Sequence, residues 1–465
     1  MSTAFFSPMT LTTIDHMMPI CYITFIYTLN AKDVDQGIEI LRGAINRLVE
    51  DCPVLAANVG RASAAEDNRK NVLEIQPSSK ETLVQYPLLQ VSRHQAQSTI
   101  GHSPKDHLSD ERSFFALHPS IARHFPCPII RWRATVVSDG ILVAVTFHHS
   151  VLDAGGFYTV QDALARICRN ISEPNPDPNL RNALHEGRTR LNAIRLRGDP
   201  MKSRHREHEL VGRMADFDLP PPLVSERITL QSQKIQYLRR WCSTSYTANT
   251  HAKQPSEDLT SNDVISGLLW QCITAAQWQK MATCDHSESS LVLISDVRHK
   301  LRPGVPASYL GNCIVQKLVK MKAELPPADL QSGKEALLQE LQLYARSVSK
   351  ASKKVTDNFV KTLMLQKYEA RNWSPRFMQG DVTSTSLRRM PIYNLDFGSV
   401  LGRVAGFDVV DDRIDGTVCI LPACSTSNSN HWELRITLAA DVLKQVRRHP
   451  LLLWAMEGSA VEPRL

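Results

Sequence analysis

The sequence predicts a mixed α/β protein of two domains. Strand-like runs rich in β-branched and aromatic residues alternate with helix-period segments along the chain, the pattern of layers packed around sheets. At 465 residues the chain exceeds what a single hydrophobic core organises comfortably. From about Ser172 to Gly212 the alternation gives way to a polar stretch rich in proline and arginine, as a crossover between domains would. The expected boundaries are 1–175 for the N-terminal domain, 176–220 for the crossover and 221–465 for the C-terminal domain.

The opening MSTAFFSPMTLTTIDHMMP has no basic n-region and carries Asp15 ahead of the first apolar run, so it does not read as a secretory signal. ICYITFIYTL follows, a strand by its β-branched and aromatic content and too short to span a bilayer. KDVDQGIEILRGAINRLVE places Ile38, Leu41, Ile45, Leu48 and Val49 on one helical face, with Asp33 and Gln36 as a capping box. IIRWRATVV and ILVAVTF, separated by Ser138-Asp139-Gly140, read as a hairpin. The second of these is apolar on both faces and predicts a central strand. GFYTVQDALARICRN then puts Phe157, Val160, Leu164 and Ile167 at helical spacing, with Gly155-Gly156 loosening its start.

Within the crossover a helix fits Leu180 to Leu196. The second half repeats the alternation: a helix near Gln233–Trp241, another over SNDVISGLLWQCITAAQW, a strand at SLVLISDV, one long helix within 334–370, and strands toward WELRITLAADV. Trp270 and Trp278, eight apart on one helix, read as core residues.

Composition narrows the function. The 54 Lys and Arg against 47 Asp and Glu leave a charge of +7 with no lysine block, which suits an anionic small molecule better than nucleic acid. Ten scattered cysteines form no CxxC, predicting reduced core thiols without a zinc site or disulfide framework. A cytoplasmic protein with no metal and no membrane partner is the expectation.

The chemistry centres on ILVAVTFHHSVLDAGGF, where a buried strand runs into His148-His149 and then Asp153. HxxxD alone is a weak signal: His102–Asp106 also fits, in a polar loop with no flanking strand, and is set aside. His149 differs by standing on a strand-to-helix turn, where a side chain projects into a crevice from a rigid scaffold. A histidine there can be a near-neutral base for an alcohol, or a satisfied structural group. His148, of opposite parity, suits the structural role, and Asp153 suits an orienting salt bridge.

In these motifs and several others the chain resembles the BAHD acyl-CoA-dependent acyltransferases, in particular their fungal secondary-metabolite, trichothecene 3-O-acetyltransferase-like branch. LTTIDHMMP is similar to the family's Leu-Ser-x-x-Asp opening, and LRGAINRLVEDCPVLAANV to its first helix and the Pro-x-Leu-Ala-Gly that follows. LTSNDVISGLLWQCITAA resembles the Thr-x-Asn-Asp…Trp helix, and SDVRHKLRPGVPASYLGNCI the Asp-x-Arg…Tyr-x-Gly-Asn block. TSTSLRRMPIYNLDFGSVLG resembles the Thr-Ser-Trp…Asp-Phe-Gly-Trp-Gly stretch. These landmarks keep family order from about residue 11 to 440.

The resemblance implies two chloramphenicol-acetyltransferase-like domains, each a mixed β-sheet flanked by helices, with an active-site tunnel between them. It implies His149 as general base and Asp153 as a structural group paired with Arg298. Thr385 would be the oxyanion donor. Asp396, Phe397 and Gly398 would shape the donor channel from a distance, and Ser261, Gly311 and Asn312 would line coenzyme A. Acetyl-CoA would be a co-substrate, with no tightly bound cofactor, a small-molecule alcohol as acceptor, a ternary-complex mechanism and a monomeric enzyme. The chain departs from the family at Ser399-Val400, at Leu387 and at Ala154, where Trp-Gly, Trp and Gly are usual. Two other functions compete. Peptide-synthetase condensation domains share a His-His-x-x-x-Asp-Gly motif that HHSVLDAG fits apart from Ala154, and would take a carrier-bound donor. A non-catalytic relative would only bind a ligand or partner. The DFG tripeptide at 396–398 has no Gly-rich loop, strand lysine or His-Arg-Asp loop to make it a kinase's.

Overall fold

The computed structural model describes residues 6–63, 69–94, 115–138, 140–170, 179–196, 213–214, 223–244, 258–280, 288–322, 333–375, 378–410, 414–424 and 431–458. His102–Asp106 and Asp139 lie outside them. The first half runs β1 (Met9–Thr10), β2 (Tyr22–Leu29), α1 (Val34–Asp51), β3 (Asn58–Arg61), β4 (Leu73–Gln76), α2 (Lys80–Gln85) and β5 (Leu89–Arg93). It continues through β6 (Cys127–Pro128), β7 (Ile130–Val137), β8 (Gly140–His148) and α3 (Ala154–Arg169). The crossover carries α4 (Asn179–Leu196) and β9 (Arg213–Met214). Next come β10 (Leu223–Gln231), α5 (Ser232–Ser243), α6 (Ser261–Lys280), β11 (Glu288–Asp296), β12 (Ile314–Lys322), α7 (Lys334–Lys354) and α8 (Asp357–Glu369). The chain closes with β13 (Met378–Gln379), β14 (Val382–Ser386), β15 (Val404–Val410), β16 (Thr417–Ile420), β17 (His431–Ala439), α9 (Ala440–Val446) and α10 (Pro450–Met456).

A five-stranded sheet orders β15-β2-β8-β7-β5 and a six-stranded one β10-β17-β16-β14-β11-β12. Both are mixed: β5 runs parallel to β7, and β14 parallel to β11 and β16, while the other pairings are antiparallel. As the apolar run required, β8 is central and every residue in it is buried. Its hairpin with β7 sets Val137 opposite Gly140. The Asp33 carboxylate caps α1 by accepting the Gln36 N–H at 3.0 Å. That helix buries Ile38, Leu41, Ile45 and Leu48, with Val49 half-buried at the margin. Phe157, Val160, Leu164 and Ile167 of α3 are buried in the same core. Burial of that size is worth about 1.5–3 kcal/mol for each large side chain.

The segment 334–370 forms two helices where the sequence reads as one. Thr356 is extended, and its hydroxyl accepts the Phe359 N–H at 3.3 Å, which starts α8 afresh. Trp270 is core and donates to Ser289 at 2.8 Å, whereas Trp278 is half-buried. The boundary expected at 221 does not partition the sheets. β15, deep in the second half of the sequence, pairs antiparallel with β2 and completes the first sheet. Its Phe407 meets Phe25 with ring centroids 5.4 Å apart, and Phe25 meets Phe157 at 4.8 Å. Asp408 of β15, 1% exposed, is bonded by Arg435 of the second sheet, whose Nε lies 3.0 Å from Oδ1. The two halves are thus stitched by a shared strand.

Gly155-Gly156 serves close approach; neither residue takes a left-handed backbone. A Cβ on Gly156 would lie 1.9 Å from the Leu310 carbonyl oxygen, and one on Gly155 3.0 Å from the Arg298 guanidinium. The start of α3 therefore rests directly on a loop of the second half. Gly156→Ala is expected to lower stability by about 1–3 kcal/mol, the cost of overpacking against unyielding backbone. Urea denaturation of the variant reads this out, and an unchanged midpoint would contradict the packing account.

Candidate active site

β8 ends at His148, and the turn 149–152 carries the chain into α3. The two histidines have opposite fates. His148 is fully buried; its Nε2 donates to the Ala122 carbonyl at 3.1 Å and its Nδ1 accepts the Ser150 N–H at 3.3 Å. Burial lowers its pKa to about 4, so it is a neutral structural ring. His149 is half-buried. Its Nδ1 lies 3.2 Å from the Leu152 carbonyl, which can only accept, so Nδ1 carries the proton. Nε2 is left unprotonated, and no described residue bonds it. Burial lowers this ring's pKa, opposed by the Leu152 carbonyl, the Asp153 charge and the Asn312 side chain. Near neutral pH, His149 is an uncharged imidazole with a free basic nitrogen.

Asp153 is extended and caps α3, its Oδ1 accepting the Gly156 N–H at 2.9 Å. The same carboxylate takes both Arg298 nitrogens, Nη2 at 2.7 Å and Nη1 at 2.9 Å, and the Cys313 N–H at 2.8 Å. Asp153 is 1% exposed and Arg298 7%. Burial alone would lower the pKa of Arg298; the Asp153 carboxylate reverses this and holds the guanidinium charged. Arg298 also donates to the Tyr309 and Gly311 carbonyls at 3.1 and 2.9 Å. The pair that the resemblance implies thus locks the base-bearing turn to segment 309–313.

Gly311 and Asn312, expected to line coenzyme A, belong to that lock. A Cβ on Gly311 would lie 2.3 Å from the Tyr309 hydroxyl. Asn312 is fully buried; its Nδ2 donates to the His149 carbonyl at 2.9 Å and to Asp15 Oδ1 at 3.0 Å. Asp15 was legible only as part of an opening motif. Its 1%-exposed carboxylate also accepts the Asn312 N–H at 3.1 Å and the Thr12 N–H and hydroxyl at 2.9 and 2.7 Å. A signal existed: the reciprocal Thr-x-x-Asp turn of Thr12 and Asp15 recurs at Thr260 and Asp263, where it caps α6.

A cavity of about 910 Å³ opens beside the start of α3, between the halves; the turn 149–152, His149 included, is not among its lining. Ala154, Gly155 and Tyr158 of α3 face Ser261 and Asn262 of α6, and Ser386 at the end of β14 with Leu387 after it, across the cavity. Its wall mixes Arg298, Lys300, Lys353, Arg388 and Arg389 with Asp258, Asp263 and Asp296, a modest excess of positive charge, and the Arg388 guanidinium lies 4.2 Å over the Trp432 ring. Ser261 is therefore at the cavity, whereas Gly311 and Asn312 are not among its lining. Thr385 is half-buried on β14, paired in parallel register with Cys419 and directly before two lining residues. Leu387, where the family carries tryptophan, lines the wall.

Asp396, Phe397 and Gly398 stand away from the cavity. Phe397 stacks on Tyr27 of β2 at 5.6 Å, and Asp396 Oδ1 accepts the Gly398 N–H at 2.9 Å. Gly398 has φ +96°, a conformation that favours glycine. The loop braces the strand that β15 joins. Among the described residues no group of His, Cys, Asp and Glu could hold a metal, and no helix is long and apolar enough to cross a membrane.

Comparison with known proteins gives the family and the fold. Residues 104–452 match the Transferase family, and residues 20–168 match the trichothecene 3-O-acetyltransferase-like N-terminal domain. The communesin N16 acyltransferase cnsK of Penicillium expansum is 27% identical, over 97% of this chain and 98% of its own. The O-acetyltransferase ptmV of Penicillium ochrochloron is 26% identical, over 98% and 97%. Among solved structures, F. sporotrichioides TRI101 complexed with coenzyme A and T-2 superposes with TM-score 0.68 at 14% identity, covering 95% of this chain and 97% of that one. Vinorine synthase gives 0.60 at 14%, covering 98% and 95%, so the two-domain α/β fold is shared. The chain belongs to the Transferase family, the BAHD-type acyltransferases that its motifs resemble.

Proposed function

We propose that this acyltransferase moves an acyl group, acetyl foremost, from acyl-CoA to a hydroxyl of a small secondary metabolite, with His149 as general base. The observation that carries the reading is the His149 tautomer: Nδ1–H is committed to Leu152, so Nε2 is free to take a proton. Nε2 would remove the acceptor's hydroxyl proton as its oxygen attacks the thioester carbonyl. The tetrahedral oxyanion then collapses, the carbon–sulfur bond breaks, and Nε2 returns the proton to the departing thiolate. Thr385 is the proposed donor to the oxyanion, its strand ending at the cavity wall. The wall's excess of positive charge suits the nucleotide phosphates of coenzyme A. Relatives named O-acetyltransferases, and TRI101 solved with coenzyme A and T-2, support this choice of donor and acceptor. A relative named for acylation at N16 favours an amine acceptor as the second reading, with the same base. Both sides of the site come from one chain, so a monomer suffices.

The test is thiol release from acetyl-CoA across a panel of polycyclic alcohols and amines. His149→Ala is expected to lower kcat by about 10²–10⁴-fold while melting like the parent. Undiminished turnover would sink the base assignment, and transfer only from a loaded carrier protein would sink the acyl-CoA reading.

A further inference from the structure

The His149 backbone is held at both ends. Its N–H donates to the Cys21 carbonyl at 2.9 Å, and its carbonyl accepts from Asn312 Nδ2 at 2.9 Å. The Asn312 amide has no freedom of its own, because Asp15 Oδ1 takes both its main-chain N–H and its Nδ2. The next residue, Cys313, gives its N–H to Asp153. Two successive residues of the second half therefore grip two carboxylates of the first, one on either side of the base in sequence. Burying a carboxylate is costly unless every acceptor site is used, and Asp15 uses its oxygens on Thr12 and Asn312.

We propose that Asn312, fixed by the buried carboxylate of Asp15, is the positioning residue of the base: it pins the His149 carbonyl and so aims the imidazole. Neither side chain lines the cavity. The unit acts through the main chain of residue 149, whose register also sets the Nδ1–H bond to Leu152. The inference rests on His149 being the base, and a readout on the ring itself separates the two claims.

Nitrogen NMR of histidine-labelled protein, with His149 assigned by its loss in His149→Ala, reports tautomer and titration directly. In Asn312→Ala and Asp15→Asn the His149 ring is expected to lose its uniform Nδ1–H form. The kcat for acetyl transfer should fall about 10–100-fold, with KM for acetyl-CoA within about twofold, as for a misaimed base. The double variant should be no worse than the worse single one, because the two residues act as a unit. Asn312→Ser, which keeps a small polar group in place, serves if the alanine variant does not fold. An unchanged His149 ring and kcat alongside a lowered melting temperature would overturn the proposal and leave a purely structural clasp. A changed ring in the variants with full turnover in His149→Ala would support the clasp on the imidazole and overturn the base assignment instead.

Discussion

Asp153→Ala is expected to cost about 3–5 kcal/mol of stability, the scale of breaking a buried ion pair, with about 1 kcal/mol more for the lost helix cap. The size follows from what the substitution leaves behind. Arg298 would keep its charge at 7% exposure with only Asp296, itself half-exposed, at 3.0 Å. The N–H groups of Gly156 and Cys313 would lose their acceptor as well. Asp153→Asn keeps a capping oxygen and should cost less. Asp153→Leu combined with Arg298→Met should recover part of the loss, since no uncompensated charge remains. Urea denaturation measures all three, and a loss under about 1 kcal/mol in Asp153→Ala would refute the lock.

Acid should unfold the protein earlier than its carboxylates alone would. Among the described residues three histidines are fully buried as neutral rings, with pKa values lowered by desolvation to about 3 for His16 and about 4 for His148 and His449. His16 donates from Nδ1 to the Thr12 carbonyl and accepts the Leu73 N–H at Nε2, both at 2.8 Å, so a second proton must displace an existing bond. His148 is committed in the same way, and both ring nitrogens of His449 lack a partner among the described residues. The unfolded chain binds these protons near pH 6.5 and the folded one does not. Stability is therefore intact above pH 6.5 and lost as the pH falls toward 4. Each ring contributes about 1.4 kcal/mol per pH unit in that window, and three together about 4. Over two pH units that amounts to about 8 kcal/mol, comparable with a typical total of about 5–15 kcal/mol. The urea midpoint should drop steeply between pH 7 and 5, and His449→Leu should remove about a third of the slope. Equal midpoints at the two pH values would show that these rings titrate freely.

What the sequence discloses depends on how local the cause is. β8 and α3 are legible because their apolar periods are written into consecutive residues, and the cap on α1 because Asp33 and Gln36 are three apart. The break at Thr356 is equally local, but apolar spacing continues across it and conceals the new cap. The Asp153–Arg298 pair spans 145 positions, so only the resemblance points to it. The resemblance gives Asn312 to coenzyme A, and the sequence says nothing of the main-chain carbonyl and the carboxylate 297 residues away that its side chain bonds. Main-chain acceptors leave no mark in a sequence. Nor does strand alternation say which sheet a strand will join, and nothing near residues 404–410 announces that β15 pairs with β2.

That strand also fixes an order of events during synthesis. Until residue 410 has left the ribosome, β2 presents an open edge of unpaired backbone beside an incomplete phenylalanine cluster. The first sheet cannot finish while the chain is half made, so the usual economy of domains folding one after another is denied to this protein. Its nascent N-terminal half must wait, protected or merely collapsed, for a segment encoded close to the far end.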